Sequence, residues 1–136
     1  MNKYLLPITI LSAFVYSGQA AASESAIKIT NGCDEKARVI LHVIDEYDEW
    51  HNYGFFTTEP GESGFPTDKN GDLIVHDFSK KYLYTYYETT DGRYGPRTID
   101  EGQSYWISFS NNRHYPVGAA SVEAIDDYSV SLKLCD

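Results

Sequence analysis

Residues 45–50 read Asp-Glu-Tyr-Asp-Glu-Trp and place four carboxylates beside two aromatic rings. Tyrosine and tryptophan supply rigid contact area in protein interfaces, and clustered carboxylates steer a basic partner toward the surface that carries them. The segment therefore predicts a recognition edge built on Tyr47, Asp48, Trp50 and the neighbouring Tyr53. The alternative is a solvated turn between two strands. Paired carboxylates could also cleave a glycosidic bond, but only at a separation that a sequence does not give.

A second group of aromatic residues, Tyr82, Tyr84 and Tyr86, occupies alternate positions of one segment and so shares one face of a strand. If the rings are exposed, Tyr84 and Tyr86 form a binding platform for a sugar or a peptide. The alternative is that the rings pack over a sheet while their hydroxyl groups reach water.

A third group of residues offers oxygen ligands to a cation. Asp68, Asn70 and Asp72 fit positions 1, 3 and 5 of a calcium-binding loop. The pattern then fails, because Leu73 stands where glycine is needed and Ser79 stands where a bidentate acid is needed. What remains is a looser surface calcium site or an ordinary polar turn, and no cofactor is implied.

Few other residues suggest catalysis. The four histidines are not spaced as paired metal ligands. Gly61-Glu62-Ser63-Gly64 is a turn rather than a nucleophile elbow, since Phe65 fills the position of the last glycine. We therefore predict no catalytic residue and no enzyme, with a hydrolase as the least supported hypothesis.

The segments that must position these residues are short runs of β-branched and aromatic residues, broken by Gly, Pro, Asn and Asp. Such runs predict an all-β domain, a small sandwich or barrel of about seven or eight antiparallel strands. The predicted strands cover residues 26–30, 37–45, 53–58, 73–77, 82–89, 104–111 and 128–135, while residues 117–124 fit either a strand or a helical turn.

The first 22 residues have the composition of a cleaved secretory signal. Lys3 precedes an apolar run over residues 5–16, which is too short to span a membrane, and small residues follow up to Ala22. We predict a signal peptide over 1–22 and a single β domain over 23–136 that is secreted or periplasmic. In that oxidising compartment Cys33 and Cys135 are expected to form a disulfide between the first and last strand regions.

The charge of the chain limits its partners. It carries 11 Lys and Arg against 20 Asp and Glu, for a net charge of −9, and loss of Lys3 with the signal makes it more acidic. A chain this acidic repels the phosphates of nucleic acid and anionic lipid heads, so we predict no nucleic-acid binding. We predict no membrane span either, because the apolar run over residues 5–16 is too short. A basic protein or a glycan is the expected partner.

The order of several short motifs resembles the DUF1036 family of small exported bacterial domains of unknown function. The motifs are Ile29-Thr30-Asn31-Gly32-Cys33, the apolar run over 39–44, the aromatic segment over 50–56, the turn Pro60-Gly61-Glu62, and Asp91-Gly92-Arg93-Tyr94-Gly95. The resemblance covers roughly residues 27–109. It implies an exported domain and supplies no activity.

Two binding functions follow from these features. The first is an exported, non-catalytic binding module that uses the aromatic and acidic edge around Tyr47, Trp50 and Tyr53. The second is an inhibitor or immunity protein that neutralises a basic cell-wall hydrolase, because opposite charge speeds encounter between two proteins.

Overall fold

The computed structural model describes residues 24–96, 104–109 and 112–135. Within these ranges the chain forms strands and no helix, which confirms the predicted all-β class. The strands are β1 (Glu24–Asn31), β2 (Ala37–Ile44), β3 (Trp50–Thr58), β4 (Ser63–Gly64), β5 (Val75–Asp77), β6 (Tyr84–Thr89), β7 (Tyr94–Gly95), β8 (Ser104–Phe109), β9 (Arg113–Ala119), β10 (Val122–Asp126) and β11 (Ser129–Leu134). The predicted signal peptide lies outside the described residues.

The strands are arranged in two sheets. The five-stranded sheet has the order β10-β11-β1-β4, with β5 also paired to β1. The six-stranded sheet has the order β3-β2-β6-β9-β8, with β7 also paired to β6. In the described part of the chain, no helix has the length and the apolar composition that crossing a membrane demands.

The described strands outnumber the seven or eight that the sequence predicts. Three of them, β4, β5 and β7, are only two or three residues long, and such short pairings leave no periodic pattern in a sequence. The ambiguous segment over 117–124 contains the end of β9 and the start of β10, which are separated by Ala120 and Ser121.

The first and last strands are neighbours, and the disulfide lies just beyond their ends. β1 and β11 pair in parallel, in a register that sets Asn31 opposite Leu134. Two parallel strands end at the same edge of a sheet, so Cys33 and Cys135 meet there, with their Cα atoms 5.1 Å apart in the disulfide. The predicted link between the two ends of the domain is confirmed.

The six-stranded sheet buries side chains on both of its faces. Val39, Leu41 and Val43 of β2 pack into the main core against the five-stranded sheet. Ile40 of the same strand belongs to a second cluster on the opposite face. The sheet curls around this second cluster into a half-barrel, so that Phe55 of the edge strand β3 lies 5.8 Å, ring to ring, from Phe109 of the other edge strand β8.

Candidate functional site

The segment 45–50, named the acidic loop, joins β2 to β3 and is fixed by one carboxylate. Asp45 Oδ1 accepts hydrogen bonds from the backbone N–H groups of Tyr47 at 2.8 Å and Glu49 at 2.9 Å. Asp45 Oδ2 accepts one from His51 Nε2 at 2.8 Å. The hydrogen bond from His51, followed by those from the backbone, lowers the pKa of Asp45, so this carboxylate stays ionised.

A lysine from a distant part of the sequence also binds the acidic loop. Lys80 Nζ donates to the carbonyl oxygens of Glu46 at 2.7 Å and Asp45 at 3.3 Å, and it forms an ion pair with Asp48 at 2.8 Å. The hydrogen bond to Asp48 raises the pKa of Lys80 above its usual value. The backbone of the acidic loop is therefore held from both sides.

The side chains that this rigid backbone presents to solvent are aromatic and acidic. Tyr47 is 76 % exposed and Trp50 is 37 % exposed, and Glu46, Asp48 and Glu49 are also exposed. A large aromatic ring on an ordered loop is pre-organised for contact, because little conformational entropy is lost when a partner binds it. Tyr47 is the most exposed large hydrophobic residue in the described part of the chain.

Trp50 packs against aromatic residues on the face of the six-stranded sheet that lines the half-barrel. Its ring is parallel to that of His42, with centroids 4.3 Å apart, and it is 6.0 Å from the ring of Tyr84. The ring of His42 is hydrogen-bonded to Asn52 and buried, and burial lowers its pKa. As a result Trp50 has one face packed and one side open to solvent.

The other predicted binding residues take different places. Tyr53 is half-buried against the main core, and its ring lies 6.0 Å from that of His51. Tyr84 and Tyr86 are 8 % and 9 % exposed, because they point into the half-barrel. A sugar platform on this strand face needs exposed rings, and these two tyrosines do not provide them. The structure thus groups Tyr47, Asp48 and Trp50 at one surface and places the tyrosines of β6 in the interior.

The acidic loop lies in a concentration of negative charge. Glu24 accepts a hydrogen bond from the backbone N–H of Glu46 at 3.0 Å, so the start of β1 reaches the loop. Partial burial raises the pKa of Glu24, and the nearby carboxylates of Glu46, Asp77 and Asp45 raise it further. Carboxylates therefore crowd this end of the domain and outnumber the cation of Lys80.

The predicted calcium ligands form a tight turn between residues 68 and 72. Asp68 Oδ1 accepts hydrogen bonds from the backbone N–H groups of Asn70 at 2.8 Å and Asp72 at 3.0 Å. That geometry is an Asx turn, which uses the carboxylate of Asp68 to hold the backbone. A calcium ion at this turn stays a prediction.

A second group of residues also has metal-ligand chemistry. The ligand atoms of Asp45, Glu49 and His51 lie within 4.8 Å of one another. Because Asp45 and His51 are hydrogen-bonded to each other in fixing the acidic loop, we assign this group a structural role.

The sequence did not predict the roles of Lys80 and His76, which form hydrogen bonds with the acidic loop and with the end of β2 before it. Lys80 is 32 or more positions away from the loop residues that it holds, and no local pattern links them. His76 is fully buried, accepts the N–H of Ile44 at 3.1 Å and donates to the carbonyl of Lys81 at 2.7 Å. A histidine within a strand pattern is a weak signal for such a buried bridge.

The substitution Lys80→Met tests whether this lysine holds the acidic loop. Methionine keeps an apolar stem and removes the ammonium, so the backbone amides of residues 46–48 are expected to exchange hydrogen faster. The midpoint of urea unfolding should stay close to that of the wild type. The neighbouring Lys81→Met serves as the control, since Lys81 forms no ion pair with the described residues. Unchanged amide exchange in Lys80→Met would contradict the assignment.

Because of His76, we expect the folded domain to be less stable in mild acid than at neutral pH. Burial lowers the pKa of His76 from 6.5 to about 4, because the charged ring loses its hydration inside the protein, and this effect exceeds the opposite one of the hydrogen bond to the Lys81 carbonyl. The unfolded chain binds the proton more readily, so the contribution of His76 is complete above its ordinary pKa and is lost as the pH falls toward 4. We expect the free energy of unfolding to drop by about 2 kcal/mol between roughly pH 7 and pH 5.

Urea unfolding at a series of pH values measures this loss, and His76→Gln removes the titrating ring. His42 also has a lowered pKa and acts in the same direction, so the difference between wild type and His76→Gln isolates His76. An NMR titration of the His76 ring in the wild type gives the same answer without a variant. A ring that titrates at its ordinary pKa would rule the prediction out.

Comparison of the chain with models of known families, with curated proteins and with solved structures found no match. The resemblance to the DUF1036 family stays a prediction. The functional argument therefore depends on the geometry of the site alone.

Proposed function

We propose that this protein is an exported, non-catalytic binding module that recognises a basic protein through the acidic loop. The observation that carries the proposal is the combination of a backbone fixed by Asp45 and Lys80 with a Tyr47 ring that is 76 % exposed. An ordered loop that presents an unburied aromatic ring has the properties of an interface anchor.

The charge around the loop supports a basic partner. Glu46, Asp48 and Glu49 are exposed on the loop, and Glu24 lies beside them. Lys80 is the cation that neutralises part of this charge, through Asp48. The remaining carboxylates gain favourable electrostatic energy when a cationic surface approaches, which raises the association rate and makes it sensitive to salt.

Two grooves of the domain lack the carboxylate pair of a glycosidase. Counting the described residues, a groove of about 340 Å³ beside β4 has Glu62 as its one carboxylate, and a groove of about 660 Å³ beside β6 has none. Glycoside hydrolysis by the usual mechanisms needs two carboxyl groups flanking the same substrate bond. Neither groove offers such a pair.

An inhibitor of a basic cell-wall hydrolase is the more specific form of this proposal. Tyr47 projects from a turn whose flanking residues are acidic, and that arrangement suits insertion into a cleft lined by arginine and lysine. The disulfide between the ends of the domain is compatible with the oxidising environment in which such hydrolases act.

The substitution Tyr47→Ala tests the proposal in a pull-down from cell-envelope extract. The wild type is expected to capture a partner of basic isoelectric point, and capture should weaken in high salt. Tyr47→Ala should lower the affinity for that partner about thirtyfold, as expected for an interface anchor. Trp106→Ala is the matched control, because Trp106 is 66 % exposed on β8, at the opposite edge of the six-stranded sheet from β3.

Two outcomes would refute the proposal. One is equal capture by wild type and Tyr47→Ala, and the other is capture that does not respond to salt. The inhibitor form is tested separately by adding the protein to a c-type lysozyme and to basic hydrolases from the envelope while measuring the lysis of cell walls. Loss of lysis that Tyr47→Ala restores would support inhibition, whereas a bound partner without hydrolase activity would leave the general binding module.

A further inference from the structure

A groove of about 660 Å³ opens where the chain crosses from β9 in one sheet to β10 in the other. It is lined by residues 78–84 on one side and residues 120–122 on the other. We propose that this groove binds a pyranose sugar that carries a carboxylate. The groove shares Lys80 and Tyr84 with the contacts of the acidic loop. Neither of these two residues is changed in the tests below, so the proposal does not depend on recognition of a basic protein.

The floor of the groove is apolar. Leu83 is buried in the main core, and Phe78, Ala120 and Val122 are half-buried against it. Tyr82 stands beside this floor with its ring 59 % exposed. A pyranose ring has an apolar face of C–H groups, which packs against such a floor and against the face of a phenol.

The charge of the groove differs from that of the rest of the chain. In the part of the chain that the structure describes, no Asp or Glu lines the groove, whereas Lys80 and Lys81 both do. The ammonium of Lys80 is already bound to Asp48 and to the carbonyls of the acidic loop. Lys81 forms no ion pair with any residue in the ranges that the structure describes, and it is exposed. An anionic group on the ligand would therefore pair with Lys81.

Hydrogen bonds fix the backbone on both sides of the groove, near Lys81 and at Ala120. Its carbonyl oxygen accepts a hydrogen bond from the buried ring of His76 at 2.7 Å. The backbone N–H of Ala120, on the other side of the groove, donates to the carbonyl of Leu83 at 2.9 Å. These two bonds fix both walls relative to the core, so the groove exists before a ligand arrives.

Polar groups complete the fit to a sugar. Ser79 and Ser121 both line the groove. The hydroxyl of Ser79 already donates to Asp77 Oδ1 at 2.6 Å and is left to accept a hydrogen bond from a sugar hydroxyl, whereas the hydroxyl of Ser121 can donate or accept. The volume of the groove falls within the range of small-molecule sites and accommodates one or two sugar units. A carboxylated pyranose satisfies the apolar floor, the exposed phenol and the cation together.

Two natural sources share this chemistry: a uronic acid in a polysaccharide, and a muramic acid from a bacterial cell wall whose lactyl carboxyl has been freed of its peptide. The test is an NMR titration of the purified protein with glucuronic acid and with N-acetylmuramic acid, with glucose and N-acetylglucosamine as neutral counterparts. We expect shifts in the backbone amides of residues 79–83 and 120–122. Each carboxylated sugar should bind about fivefold more tightly than its neutral counterpart, the effect of one exposed charge pair.

Three variants locate the interaction. Lys81→Gln should abolish the preference for the carboxylated sugars, and Tyr82→Ala should weaken the binding of all four sugars. Lys133→Gln makes the same change of charge on an exposed residue of β11 outside the groove, and it should leave the affinities unchanged. All three residues are exposed, so the fold is expected to survive each substitution.

The proposal is overturned if none of the four sugars shifts the amides of the groove, or if Lys81→Gln keeps the preference. Tighter binding of glucuronic acid or of N-acetylmuramic acid upholds the proposal and identifies the source of the ligand. Tyr47→Ala should not alter any of these affinities, so failure of the protein-binding proposal and failure of this one are distinguishable.

Discussion

The double substitution C33A/C135A is expected to lower the free energy of unfolding by about 4.7 kcal/mol, the entropic stabilisation that the loop-closure model gives for a loop of about 100 residues. The two cysteines are 102 positions apart, so the disulfide restrains nearly the whole domain in the unfolded state. Both sulfur-bearing residues adjoin the main core, and the small alanine side chain adds no polar group there. Urea unfolding of the wild type and the double variant measures the difference.

Reduced wild-type protein provides the control for that experiment, because it keeps both cysteine side chains and lacks only the covalent link. Its stability should fall to nearly the same level as that of C33A/C135A. A loss below about 1 kcal/mol in both cases would show that the ends of the chain are held mainly by the pairing of β1 with β11.

The substitution Asn31→Ala is expected to cost about 4 kcal/mol, since it leaves three buried or half-buried backbone groups without a partner. Asn31 is fully buried at the end of β1. Its Nδ2 donates to the carbonyls of Glu35 and Thr58, each at 3.0 Å, and its Oδ1 accepts the N–H of Cys33 at 2.8 Å. One side chain thus joins the β1–β2 connection, the end of β3 and the disulfide.

The adjacent Thr30→Ala supplies the comparison. The hydroxyl of Thr30 is hydrogen-bonded to that of Ser63 at 2.8 Å in an exposed position, where water can replace the lost partner. Its effect should stay near or below about 1 kcal/mol. Similar losses for the two variants in urea unfolding would mean that the buried amide of Asn31 has no special part in joining the strands.

The strands with strong periodicity could be predicted from sequence, and the way they assemble could not. Alternation of Val130, Leu132 and Leu134 marks β11, and all three side chains are buried as that pattern indicates. The nearly unbroken apolar run of β2 marks a strand covered on both faces, and the structure buries it between the two clusters. Parallel pairing of β1 with β11 depends on contacts about 100 residues apart, which leave no local signal.

In the candidate site, too, some features could be predicted from the sequence and others could not. The composition of residues 45–50 indicated an exposed aromatic and acidic loop, and Tyr47 is exposed there. Alternation also indicated that Tyr84 and Tyr86 share a strand face, but a period of two does not say which face meets solvent. The curl of the six-stranded sheet buries that face. Lys80 escaped prediction because it reaches the loop only after β5 pairs with β1.

Photo-crosslinking in the native host tests the central claim most directly, because it reports what touches the acidic loop in place. A benzophenone amino acid replaces Tyr47 in one strain and Trp106 in another, and both strains are irradiated. Our account predicts a crosslinked adduct with a basic protein from position 47 and none from position 106. Absence of an adduct at position 47, or the same adducts from both positions, would contradict it.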